Sequence, residues 1–127
     1  MPYTYPPDQK TYYEQVWELA RQVPHGKVAT YGQLAQMIPA PKDIDPKDYA
    51  ALGSRWVGNA LAACPVDVPW QRVINSQGQI SKRPGAEKQR HLLEQEGIVF
   101  IRDRIDLQTY HWHTSEQMDD PTQGQLF

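Results

Sequence analysis

Proline cuts this chain of 127 residues into runs too short for a long helix or an extensive sheet. Pro24, Pro39 and Pro65 each follow an apolar run, and a ring that lacks an N–H and crowds the preceding turn ends a helix there. Before Pro24, Tyr12, Val16, Leu19, Ala20 and Val23 recur at helical spacing behind Thr11-Tyr12-Tyr13-Glu14, which has the form of a capping box. A helix is expected over about residues 12–22. Thr30-Tyr31-Gly32-Gln33 repeats the capping pattern and opens a second helix, with Leu34, Met37 and Ile38 inward. A Pro- and Asp-rich loop at 39–47 then leads towards a third helix over 54–63, with Trp56 or Val57, Ala60 and Leu61 facing a core. A last helix is expected over 87–95, with Leu92 and Leu93 inward and Gly97 as its stop. Short extended pieces fill the remainder, among them 27–29, 72–74, 79–81, 99–101 and 105–110, with Arg102-Asp103-Arg104 as a hairpin turn.

These elements predict one mainly helical domain over residues 11–111, with a helix-turn-helix at about 30–63. A Pro- and Tyr-rich extended arm precedes it at 1–10, and a polar, disordered tail follows from 112. One cysteine excludes an internal disulfide, and no apolar run approaches the roughly 20 residues of a membrane span. The N-terminus lacks the pattern of a signal peptide, so a monomer in the cytoplasm, without membrane contact, is the expectation. His111 and His113 flank Trp112 without thiolate or carboxylate partners at ligand spacing, so no metal and no cofactor are expected.

Net charge is −2, but it is unevenly spread. Residues 52–90 carry Arg55, Arg72, Lys82, Arg83, Lys88 and Arg90 against Asp67 and Glu87, a net +4. From 91 onward, two arginines meet seven acids, a net −5. A basic middle and an acidic end suit a nucleic-acid face with a soluble back. Within the basic stretch, residues 69–76 read Pro-Trp-Gln-Arg-Val-Ile-Asn-Ser, which sets a large ring beside a cation on a constrained loop. No nucleophile with a neighbouring base lies inside Pro-Trp-Gln-Arg-Val. Such a Trp can equally be a core anchor under a loop.

That run resembles Pro-Cys-His-Arg-Val, the active-site motif of the O6-alkylguanine-DNA alkyltransferases, with Trp70 at the acceptor cysteine's place. The form with Trp resembles the alkyltransferase-like proteins of that family, which bind alkylated guanine without repairing it. The likeness extends from about Tyr12 to Gly97, with its pieces in order. It implies a winged helix-turn-helix-like fold that enters the minor groove of duplex DNA and flips O6-alkylguanine into a pocket, flagging it for nucleotide excision repair proteins. In that comparison Tyr31 presses on the target phosphate, while Arg55 takes the flipped nucleotide's place in the stack. Thr30, Gly58 and Ala60 bring the backbone close to DNA, and Trp70, Tyr31, Arg72, Val73, Ser76, Ser81 and Arg83 form the lesion pocket. The alkyltransferase relay of cysteine, histidine and glutamate falls on Trp70, Gln71 and Glu96, so no catalytic residue is expected.

The chain departs from the family pattern at Cys64-Pro65, where an Asn-Pro hinge is usual, and in the longer loop at 39–47. Three other readings stay open: an active alkyltransferase using Cys64, a winged-helix regulator of undamaged DNA, and an interaction protein with Trp70 in its core. Cys64, with no histidine beside it, is expected to be a buried small residue.

Overall fold

The computed structural model describes residues 5–114. Helix α1 (Gln9–Gln22) starts three residues before the expected point, because Asp8 and not Thr11 is its cap: the Asp8 carboxylate accepts from Thr11 N at 3.2 Å. Tyr12, Tyr13, Val16 and Ala20 are its buried side chains. Strand β1 (Ala29–Thr30) runs into α2 (Tyr31–Gln36), and here the capping box is as read, with Thr30 Oγ1 accepting from Gln33 N and Gln33 Oε1 from Thr30 N.

The largest departure is α3, which spans Pro46–Ala62. Sequence pattern alone gives a loop over 39–47 and a helix start at 54. Asp45 caps it instead, accepting from Lys47 N at 2.8 Å, and Pro46 occupies the first turn, where a missing N–H is no loss and a fixed φ favours the helix. Arg55, expected near the helix start, therefore sits mid-helix. The loop between α2 and α3 shortens accordingly.

Packing of α1, α2 and α3 forms the main core. Tyr12, Tyr49 and Trp56 meet at its centre, the Tyr12 and Trp56 rings edge to face at 5.6 Å. Tyr49 donates its hydroxyl to Ala35 O at 2.6 Å, and Trp17 Nε1 donates to Ala60 O at 2.7 Å, so even the polar ends of these rings bind elements together. At Gly53 the helices come so close that a Cβ would lie 2.8 Å from that of Ala35.

A 3-10 turn (Trp70–Arg72) leads into β2 (Val73–Ile74), which pairs in parallel with β1, Ala29 opposite Val73 and Thr30 opposite Ile74. Helix α4 (Ala86–Gln95) follows, then a hairpin of β3 (Phe100–Ile101) and β4 (Arg104–Ile105). Arg102 and Asp103 turn it with φ of 53° and 64°, so the turn is two residues and not three. Val28, Ile74, Leu93, Ile98 and Ile105 form a second, smaller core beneath. The expected strand over 105–110 becomes the short helix α5 (Leu107–Tyr110), capped by Asp106.

The expected tail boundary also moves. His111 bridges to Val28, Trp112 N donates to Val28 O at 2.7 Å, and Trp112 packs against the main core. Gln33 secures the same segment, donating to Trp112 O and accepting from His111 Nε2. Residues 1–4 of the expected arm and 115–127 of the expected tail lie outside the described residues.

Candidate functional site

Pro65 and Pro69 bracket a short loop whose Val68 is buried, so the 3-10 turn after it has little freedom. The turn closes through Arg72 N to Pro69 O at 3.0 Å. Its first residue, Trp70, stands half-buried on the wall of an open cleft of about 750 Å³. Tyr31, at the start of α2, and Gly58 and Ala62 of α3 also line it. So do Cys64, Pro65 and Val66 before the turn and Ser81, Arg83 and Lys88 after it. The cleft joins an aromatic wall and a small-residue helix face to two cations. It is large enough for a nucleobase-sized group.

Arg83 is held in place from both ends. Its guanidinium donates to the Tyr31 hydroxyl at 3.0 Å and to Gln89 Oε1 at 3.0 Å. Gln89 is fully buried and donates through Nε2 to Gln71 O at 3.1 Å and Val73 O at 3.0 Å. The sequence reading missed Gln89. The available signal was its position four residues before Leu93, which puts an uncharged polar side chain on the inward face of α4.

Glu96 anchors the turn from the opposite side. Its carboxylate accepts from Gly26 N at 2.9 Å, Gln71 Nε2 at 3.0 Å and Arg72 Nε at 3.0 Å. Burial pushes the carboxyl up, but these three donors outweigh it and hold the group below the usual carboxylate range. Gln71, the residue after Trp70, is thus the one that reaches Glu96, and a carboxamide takes up no proton at neutral pH.

Trp70, Tyr31, Ser81, Arg83 and Gly58 come together in the cleft. Other residues from the sequence reading lie elsewhere. Arg72 turns away to Glu96 and to Val23 O, at 2.9 Å. Val73 is fully buried in the core, in β2 beside Ala29 of β1. Ser76 is exposed in a turn that Asn75 closes by accepting from Gln77 N and Gln79 N. Thr30 is buried and occupied as the cap of α2, and Ala60 is fully buried against Trp17. Spacing could not separate these neighbours, because a turn sends adjacent side chains to different sides. Arg55 projects into solvent from α3 and makes no ion pair among the described residues.

Cys64 departs from expectation, being partly exposed at the cleft and not buried. Burial nonetheless pushes its thiol up, which disfavours the thiolate. Among the described residues no group of three or more His, Cys, Asp or Glu could hold a metal, and no helix is long and apolar enough to cross a membrane.

Residues 11–98 match the family described as 6-O-methylguanine DNA methyltransferase, DNA binding domain. Alkyltransferase-like protein 1 of Schizosaccharomyces pombe is 35% identical over 111 residues, covering 80% of this chain and 94% of that protein. A DNA base-flipping protein of Vibrio parahaemolyticus is 42% identical over 102 residues, covering 77% and 92%. The crystal structure of S. pombe Atl1 in complex with damaged DNA containing O6-carboxymethylguanine aligns with a TM-score of 0.69 at 32% identity, over 83% of this chain and 97% of that one. The mainly helical arrangement with short strands is thus a fold that the two share.

Proposed function

Since the chain belongs to the 6-O-methylguanine DNA methyltransferase DNA-binding-domain family, and within it to the alkyltransferase-like proteins, we propose that it is a non-enzymatic sensor of O6-alkylguanine in duplex DNA. The observation that carries this reading is the cleft itself: an indole stands on its wall, and the carboxamide of the next residue, not an imidazole, is what reaches Glu96. Alkyl transfer needs a thiolate to attack the alkyl carbon while the C–O bond to guanine breaks, and a proton route to the departing base. Trp70 and Gln71 supply neither. Contact replaces transfer.

Each part of the cleft then has a task in holding an extruded base. Extrusion costs a few kcal/mol of stacking and pairing. Arg55, exposed on α3 beside the cleft and without an ion pair among the described residues, fills the vacated space in the base stack. Tyr31 presses the phosphate outward from the rigid start of α2. Trp70 packs on the alkylated base, and Arg83 offers a cation and donors to its face or carbonyl edge. Gly58 and Ala62 let the backbone of α3 approach the minor groove. Because the adduct stays on the DNA, the complex is a signal, and nucleotide excision repair proteins are the partners that act on it.

Equilibrium binding to two duplexes differing only in one O6-methylguanine, at fixed and stated salt, tests the reading. The lesion duplex binds more tightly, Arg55→Ala abolishes that preference, and Trp70→Ala lowers it about tenfold, as expected for one lost base–aromatic stack. The methyl group remains on the DNA afterwards. Equal binding to both duplexes would sink the sensor reading and leave a general DNA-binding domain. Cys64, which lies at the cleft, gives a second reading as an alternative acceptor, and a labelled methyl group found on Cys64 would establish it.

A further inference from the structure

We propose that Gln89 is the positioning residue of the cleft, fixing Arg83 and the Trp70 turn as one unit and so setting how well the site distinguishes an alkylated guanine. The inference rests on the lesion-sensing reading above and adds to it a residue outside the cleft lining.

A long arginine on an exposed loop ordinarily samples many rotamers, and freezing it on binding opposes affinity. Arg83 is spared that cost. Its two outer nitrogens are already engaged, one by Tyr31 Oη at 3.0 Å and one by Gln89 Oε1 at 3.0 Å. The Tyr31 contact is exposed and competes with water, whereas Gln89 is fully buried and has no room to swing. Its amide orientation is also settled by chemistry. Nε2 has two carbonyl acceptors, Gln71 O and Val73 O, so Oε1 is the atom left for the arginine.

The two carbonyls matter as much as the arginine. Gln71 belongs to the 3-10 turn that carries Trp70, and Val73 begins β2. One side chain on α4 therefore ties the aromatic wall of the cleft to its cationic edge. When a phosphate or a flipped base draws Tyr31 Oη away, the Gln89 contact keeps the guanidinium at its station. The exposed Tyr31 contact alone would not do this, since the selectivity of a small site depends on holding its parts to about 0.5 Å.

Two substitutions separate positioning from plain stability. Gln89→Met fills the same volume but removes both the acceptor for Arg83 and the donor for the carbonyls. Gln89→Glu keeps the acceptor and loses the donor. Both lower the melting temperature, so a purely structural role predicts an equal loss of lesion preference in both. Positioning predicts that Gln89→Met, which releases both Arg83 and the turn, lowers the preference for the O6-methylguanine duplex about tenfold, while Gln89→Glu, which releases the turn but keeps Arg83 placed, lowers it only about threefold. In the Gln89→Met background, Arg83→Ala then has no further effect on preference.

A readout without DNA keeps this test independent of the sensor reading. In NMR spectra of the arginine Nε–H groups, Arg83 is restrained in the free parent protein and in Gln89→Glu, and becomes solvent-like in Gln89→Met. Arg72, held by Glu96, is unchanged throughout and reports that the fold persists. An Arg83 signal that stays restrained in Gln89→Met overturns the proposal, as does a full Arg83→Ala effect on preference in that background. A parent protein that binds both duplexes equally, with the Arg83 signal responding as expected, overturns the sensor reading alone.

Discussion

Replacing Glu96 by Gln tests whether the knot behind the Trp70 turn holds the domain together. The Glu96 side chain is only 7% exposed, and it accepts from a backbone N–H, a carboxamide and a guanidinium. Hydrogen bonds to a charged group contribute about 1.5–3 kcal/mol each, and breaking a buried ion pair from one side costs about 3–5 kcal/mol. Glutamine retains one acceptor oxygen but turns an NH2 towards groups that are themselves donors, and leaves Arg72, whose side chain is 17% exposed, with Val23 O but no counter-ion. A loss of about 3 kcal/mol follows, within the roughly 5–15 kcal/mol of a domain this size, so the variant still folds. Urea unfolding at several pH values reads it. Because the folded carboxyl lies below its ordinary value, the contribution of Glu96 is complete above that ordinary value of about 4.3 and is lost as pH falls through the lowered folded one. The stability gap between parent and variant is therefore flat near neutral pH and closes in acid. A gap below about 1 kcal/mol at pH 7, or one unchanged by acid, would refute the reasoning.

Other consequences can be checked with single substitutions. Trp70→Cys alone accepts no labelled methyl group, whereas Trp70→Cys with Gln71→His does, because the new histidine falls beside Glu96, where Gln71 Nε2 lies 3.0 Å away; mass spectrometry of the protein after incubation with lesion DNA distinguishes the two. Gly53→Ala, whose Cβ would lie 2.8 Å from Ala35 Cβ, destabilises by about 1–3 kcal/mol despite the better helix propensity of alanine, and Ala35→Gly in the same chain recovers part of the loss on thermal unfolding. Asp45→Ala removes the cap of α3 at a cost of about 1 kcal/mol, and amide exchange speeds up over its first turn while the Arg55 region is unaffected.

The α2 start was legible because its capping box is local: Thr30 and Gln33 satisfy each other across one turn, and nothing distant is needed. The α3 start was misread although its signal is equally local, because Pro46 serves as a first-turn residue as readily as a breaker, and only the Asp45 cap decides between them. The tail boundary needed the tertiary structure, since Trp112 is ordered by carbonyl and amide partners on Val28 and Gln33, some 80 positions away.

For the site, the sequence by itself determined the chemistry. An indole and a carboxamide at residues 70 and 71 leave no activated nucleophile in that motif, whatever the fold. It also determined the order of elements that carry Tyr31, Arg55, Trp70 and Arg83. Only the tertiary structure decided which neighbours face the cleft. Within four residues it sends Trp70 to the cleft wall, Gln71 and Arg72 to Glu96, and Val73 into the core, because a 3-10 turn entering a buried strand rotates successive side chains to different sides. It alone also placed Gln89 behind Arg83, since a buried amide is recognised by the carbonyls it satisfies, and those belong to a segment 16 to 18 residues away.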